Sequence, residues 1–505
     1  RACCPNPGVD TYGMIHGFWQ GGHDMMGPKQ QAEPKLFYTG IVLADRVPDG
    51  HHLRRIAETI DFGFVRRSVA HCYGVNGQES VDPIVLMKLM ILLYLDQLPS
   101  ERELMKALSY RIDWLWFCGY DLDDTLPHHS VLSKARRRWG PEVFAELFGQ
   151  VLLQCIQTGL VSGDVLHLDG SCIQGEVDMD RLRPVIKHTG QILYDRLEED
   201  VEPAHPNSRL TACSDPEAGV TRKNGKTICG YKDHRAVDDA HGVVTATVTT
   251  DAATDEGHVL PELLAAHEAN TATKPQTVVA DKQYGTAANY EHLHRHRIDP
   301  CIPHQWRKGK GGLFGPKAFT YDREEDCFFC PAGQRLELYH RNRAAQRNRY
   351  RASGEVCAAC RLRRRCTTST GGRRVERHIK QDEIDWADAR LSLPQRRRLM
   401  RRRKIRAEGS FAEAERYHFK PSRWRGLAPA RIQNLLIASI QNLRILVKSV
   451  GRRVSGIGRV VTGLRPSLRR FLGSLLAPLV LSAVCRPPRR DRRQILCWLC
   501  RSPGC

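Results

Sequence analysis

The sequence predicts a mixed α/β protein with a helical N-terminal region. Three observations carry this. Residues 50–160 space their apolar side chains as helices do. After Gly163 the period changes to short β-branched strands alternating with helices. Residues 300–380 then break that rhythm with glycine, arginine and paired cysteines, as an insertion would. A chain of 505 residues has room for about three domains. Its 41% hydrophobic and 26% charged residues exclude a disordered or fibrous protein.

Taken in order, residues 1–24 are rich in glycine, proline and small polar residues, and form an N-terminal extension with little expected order. Residues 25–160 form the helical region, with DNA binding as its expected role. Asp82 and Pro83 supply an N-cap and a first-turn proline for a buried helix from Ile84 to Leu95. Ser100 and Glu103 make a capping box for the next helix. A further helix starts near Ser130 and carries Arg136, Arg137 and Arg138, a candidate DNA-facing set, and an amphipathic helix spans Val143 to Leu160.

In residues 161–299, Val165 to Asp169 reads as a strand ending at a carboxylate, and Ile228 to Val237 pairs with Val243 to Thr249. A helix covers Gly257 to Asn270, and Val278 to Asp281 is a buried strand with a second carboxylate at its end. Residues 300–385 are the cysteine-rich insertion, with no evident apolar core. Helices resume over 386–448, where Ile432, Leu435, Leu436, Ser439, Ile440, Leu443 and Leu446 share one face. Residues 449–505, rich in Arg, Gly and Pro, read as a basic tail of doubtful order.

The net charge of +21 is localised: residues 361–406 hold 17 basic and 5 acidic side chains, and residues 448–505 hold 13 and 1. Such a field expects a polyanion, most simply nucleic acid. No apolar run is long enough to span a bilayer, and no leader pattern opens the chain, so a cytoplasmic protein without a membrane partner is expected. In a reducing compartment the 18 cysteines are not nine disulfides. Cys327, Cys330, Cys357, Cys360 and Cys366 give two CxxC pairs and a fifth thiol, one more than tetrahedral Zn²⁺ needs. No GxxxxGK[ST] loop is present, which argues against ATP-dependent chemistry.

Asp169 and Asp281 close separate strands that a sheet can bring together, and Glu408 follows the basic run 395–406. Convergent carboxylates are what hard Mg²⁺ ions require. With HLDGSCIQGEVD around Asp169, GYKDHRAVDDAHGVVTATVTT at 230–250, ADKQYGT around Asp281, and EGSF with RWRGLAPARIQNLL around Glu408, the chain resembles bacterial insertion-sequence transposases of the DDE type, over about residues 25–448. Gln283, Gly285 and Ser171 depart from residues common in relatives, but none removes a carboxylate.

The resemblance implies an RNase H-like catalytic core, preceded by the helical domain and interrupted by the cysteine-containing insertion. It implies Asp169, Asp281 and Glu408 as catalytic ligands of two Mg²⁺ (or Mn²⁺) ions that cut and join DNA strands. It also implies Cys330, Cys357, Cys360 and Cys366 as ligands of a structural Zn²⁺, with Cys327 as substitute. Arg401, Arg402, Arg403, Lys404, Lys420, Arg423 and Arg425 are candidate phosphate contacts, and Tyr417 and Trp424 are aromatic residues of core or base-stacking role. The implied partners are double-stranded DNA at the element ends and target, with a homo-oligomer in the DNA complex, in the bacterial nucleoid. The competing expectation is an inactive relative that only binds DNA.

Overall fold

The computed structural model describes residues 26–27, 29–30, 42–74, 79–184, 210–212, 214–223, 225–304, 312–343 and 345–462. The expectations for residues 1–24 and 463–505 lie outside these residues.

The helical region forms around the helix Pro83–Leu95. Asp82 caps it as the sequence predicts, its carboxylate accepting from the Ile84 amide at 3.1 Å. Apolar residues surround this helix on nearly every side, so it is buried between neighbours. Lys88, its one charge, donates to the Phe117 carbonyl at 2.6 Å and lies over the Phe62 and Phe117 rings. The Ser100 hydroxyl caps the helix Glu101–Leu108, accepting from the Glu103 amide.

The helix Leu427–Thr462 joins this region to the sheet, packing on Pro83–Leu95, on Glu142–Gln157 and on a strand. All seven residues of its predicted apolar face are buried. The helix continues past Lys448, where the apolar pattern stops, because each added turn extends a hydrogen-bonded ladder already nucleated.

The main sheet is built on β1 (Val165–Gln174), followed by a separate two-stranded pair β2 (Leu182–Pro184) and β3 (Leu210–Ala212). Its other strands are β4 (Gly219–Lys223), β5 (Lys226–Asp238), β6 (Val244–Asp251), β7 (Thr277–Val279) and β8 (Asp299–Cys301). β5 lies antiparallel to β1 on one side and pairs β4 and β6 in turn. On the other side β7 runs parallel to β1 and β8 parallel to β7. The helix Glu256–Thr271 covers one face over Leu166, Leu168, Val278 and Ala280. The helix Leu393–Arg403 covers the other, with Leu399 against Val279 and Cys301.

Two expectations are corrected here. Asp169 does not end its strand: the ladder with β5 runs on to Gln174↔Gly230, since β5 is long enough to pair that whole length. The insertion is not coreless either. It forms a sheet in the order β13–β12–β11–β10–β9, from β9 (Thr320–Asp322), β10 (Cys327–Phe329), β11 (Arg335–Asn342), β12 (Arg347–Arg351) and β13 (Arg374–His378). Phe319, Phe328, Leu336, Tyr350, Ala352, Cys366 and Val375 fill one side of it. The many arginines hid this alternation, because most of those on β12 and β13 lie on the opposite side while Arg377 stacks on Tyr321 among the apolar residues.

Candidate active site

The β1–β7 register decides the geometry. Val165↔Thr277, Leu166↔Val278 and His167↔Val279 are partners, so two residues further along both chains Asp169 and Asp281 come level. Strand alternation puts Asp169 on the same face as His167. Asp281 has left the strand and caps the short turn Lys282–Tyr284, accepting from the Gln283 amide at 2.8 Å.

Glu408 arrives from the covering helix. After Leu393–Arg403 the backbone makes one π turn, Lys404–Glu408, before resuming as Gly409–Ala414. An α-helix advances about 100° per residue and would splay positions five apart, whereas a π turn stacks i over i+5. Arg403 and Glu408 are five apart, and Arg403 Nη2 lies 3.5 Å from Glu408 Oε1. Its Nη1 lies 3.4 Å from Asp169 Oδ1. One buried guanidinium therefore bridges two of the three predicted carboxylates. Burial pushes the Asp169 carboxyl up to about 6 against the pull of Arg403, and the charges of Asp281 and Glu408 push the same way. The three carboxylates thus share one electrostatic neighbourhood.

A fourth carboxylate, which sequence reasoning missed, stands beside them. Glu256 opens its helix and is almost fully buried, with burial raising its carboxyl to about 7 against the attraction of Lys232. It packs directly on Gly170, where a Cβ would meet Glu256 Cδ at 3.1 Å. With its amide turned to donate, Gln283 reaches both Glu256 oxygens at 3.0 Å, which gives the departure at Gln283 a structural partner. The sequence offers no signal for Glu256 beyond a helix start after Asp255.

Behind the site lies a buried network, equally absent from the sequence reading. Arg235, opposite Asp169 on β5, donates to Asp233 at 2.6 Å, to Gln441 at 2.8 Å and to Ser410 at 3.0 Å. Its guanidinium lies against both the Phe411 and Phe419 rings, which also touch each other. These contacts lock the segment that follows Glu408 onto the sheet and the last long helix.

The predicted phosphate contacts divide. Arg401 and Lys404 are exposed and line an open cleft of about 470 Å³ together with Arg397, Arg403 and Glu408. Arg402 is held at 2.5 Å by Asp239, which also lies 2.8 Å from His167 Nε2. Lys420 pairs with Glu415 at 2.6 Å and Arg425 with Glu176 at 3.5 Å. Arg423 donates to the Leu98 and Pro99 carbonyls, tying the helical region to the core. Tyr417 and Trp424 are inside: Tyr417 is buried against Arg444, and Trp424 lies beneath the Arg136 guanidinium at 3.8 Å. Arg136 itself is buried against Glu101 and Trp424, while Arg137 and Arg138 are exposed.

In the insertion, Cys330, Cys357, Cys360 and Cys366 line one small cavity, whereas Cys327 is buried on β10 outside it. The Gln334 amide donates to Cys330 Sγ at 3.3 Å and the Arg373 amide to Cys357 Sγ at 3.4 Å. Burial raises the Cys366 thiol, and the other three add to the shift. Among the described residues, no group of three or more His, Cys, Asp and Glu side chains is placed so that it could hold a metal ion, here or beside Asp169. Among them too, no helix is long and apolar enough to cross a membrane.

Two family models match separate parts of the chain. Residues 41–138 match the family described as Transposase domain (DUF772), and residues 329–447 match Transposase DDE domain. No curated protein matches the chain. Among solved structures, one described as "Crystal structure of the Mos1 Strand Transfer Complex" aligns at 12% identity over 68% of this chain and 82% of that one, with a TM-score of 0.15.

Proposed function

Because the chain belongs to the DDE-type insertion-sequence transposases, we propose that it cleaves and joins DNA strands at the ends of an insertion sequence, using Asp169, Asp281 and Glu408. The observation that carries this reading is the parallel β1–β7 register, which levels Asp169 with Asp281 while the π turn delivers Glu408 through Arg403. The strand arrangement, with the antiparallel β5–β6 pair on one side of β1 and β7 then β8 running parallel on the other, supports an RNase H-like core.

The donor chemistry suits hard divalent cations: three carboxylates from separate elements, two of them bridged here by the Arg403 guanidinium. The chemistry that bound Mg²⁺ or Mn²⁺ supplies is Lewis-acid activation of water or a DNA 3′-OH, and stabilisation of the leaving oxygen. Asp169, Asp281 and Glu408 hold and orient those ions. Arg403 offsets the mutual repulsion of the carboxylates in the free protein. Arg401 and Lys404, exposed on the cleft wall, take the phosphate backbone and fix its position.

In the insertion, Cys330, Cys357, Cys360 and Cys366 bind one structural Zn²⁺. Their shared cavity and the two amide-to-sulfur hydrogen bonds support this, with Cys327 left in the core.

The test is strand cleavage of duplexes carrying the DNA that flanks the coding region, with and without Mg²⁺. Cleavage that needs the divalent ion is expected. A protein that binds these duplexes yet never cuts them would establish the competing reading, an inactive DNA-binding relative.

A further inference from the structure

Residues 335–378 contain thirteen arginines, no lysine, three glutamates and no aspartate. The insertion sheet sorts them. Leu336, Tyr350 and Val375 point into its core, so alternation turns Arg347, Arg349 and Arg351 of β12, with Arg374, Glu376 and His378 of β13, to the other side. There Arg351 and Arg374 are direct cross-strand partners. Like charges placed opposite one another destabilise a sheet. Neither makes an ion pair among the described residues, although Glu376 pairs with both Arg347 and Arg349 at 3.4 and 2.9 Å.

β11 adds an aromatic. Its register against β12 slips between Leu338 and His340, and the extra residue is Tyr339, which is exposed. A bulge re-aims the side chain it carries. Here the Arg351 guanidinium lies 4.9 Å from the Tyr339 ring centre, on the outward side. In the connection between β12 and β13, Arg361, Arg364 and Arg365 are also exposed.

We propose that the outward face of β11–β13 is a second DNA-backbone surface, centred on Arg351 and Arg374 and separate from the cleft beside Glu408. Protection of an edge strand asks only for charge, of either sign. This face instead uses one cation type, the planar guanidinium that matches phosphate oxygens two at a time. Its unopposed Arg351–Arg374 pair costs stability that a line of phosphates offsets on binding. The rigid sheet sets the spacing of the cations before DNA arrives, so little ordering is needed.

The proposal rests on the reading that the protein works on DNA, and the experiment separates the two. Fluorescence anisotropy with a labelled duplex of random sequence, titrated across a salt series, gives the slope of log K against log salt for the full chain. Each neutralised phosphate contributes a slope of about 0.9, so Arg351→Gln with Arg374→Gln should lower it by about 2 at an unchanged melting transition. Glu376→Gln, which frees Arg347 and Arg349, should tighten binding.

A wild type that fails to bind any duplex overturns the DNA reading itself. A wild type that binds, with slope and affinity unchanged in the double variant, overturns this proposal alone. Loss of polyglutamate binding in the double variant with duplex binding intact assigns the face to an acidic protein, and equally overturns it.

Discussion

Replacing Arg235 by Met tests how the site is held. Arg235 is fully buried, bonds Asp233, Ser410 and Gln441, and lies against two phenylalanine rings. Methionine fills similar volume but leaves the Asp233 carboxylate buried with the Thr247 hydroxyl as its remaining side-chain donor. Breaking a buried pair from one side costs about 3–5 kcal/mol, because a buried charge is left uncompensated. Removing the second charge as well, in Asp233→Leu with Arg235→Met, should recover most of that loss.

The assay is urea unfolding followed by tryptophan fluorescence, comparing wild type, single and double variants. Burial already raises the Asp233 carboxyl. A raised group contributes stability below its unfolded-state value and loses it as pH rises through the folded-state value. The single variant's deficit should therefore be larger at pH 8 than at pH 5. A double variant no more stable than the single, or a deficit that shrinks as pH rises, would refute the reasoning.

The remaining expectations follow from the same geometry. Asp169→Asn, Asp281→Asn and Glu408→Gln should each lower divalent-dependent cleavage by orders of magnitude, while duplex affinity at fixed salt is retained; undiminished cleavage by any one removes it from the ligand set. Zinc should be found at one equivalent per chain in reduced protein, and chelation should speed hydrogen exchange over residues 320–370 without changing that of β1 and β5. Elemental analysis without zinc is the contrary result. Gly230→Ala would place a Cβ 2.1 Å from the Ile173 carbonyl oxygen, at the end of the β1–β5 ladder, and should cost about 1–3 kcal/mol by equilibrium unfolding. A neutral effect would mean the strands can separate freely there.

Much of the fold was legible because local signals and burial agree. Asp82 and Ser100 cap their helices as their positions in sequence predict. The apolar face from Ile432 to Leu446 is buried throughout. What escaped the sequence has one physical origin: long-range partnership. Glu256 matters because Gly170 and Gln283 happen to face it, and Arg403 because a π turn carries it over Glu408. Neither follows from α-helical periodicity. The basic run read as a uniform phosphate-binding face, yet within it Arg403 points inward, Arg402 is tethered by Asp239 and Arg401 stays exposed on the cleft wall. Composition reports charge but not the direction in which each charge points.

The way the insertion joins the main sheet has an architectural consequence. The chain leaves that sheet after β8 and returns through the helix Gln381–Arg390, which packs back on β8 and fastens to it by Arg390 to Asp299 at 2.6 Å. Departure and return therefore meet at one place, and the insertion owns its hydrophobic core. Closing a loop whose ends already touch costs only slightly more as the loop lengthens. The stretch between Asp281 and Glu408 thus has the geometry of a socket: the length of what is inserted there does not enter the β1–β7 register that levels Asp169 with Asp281.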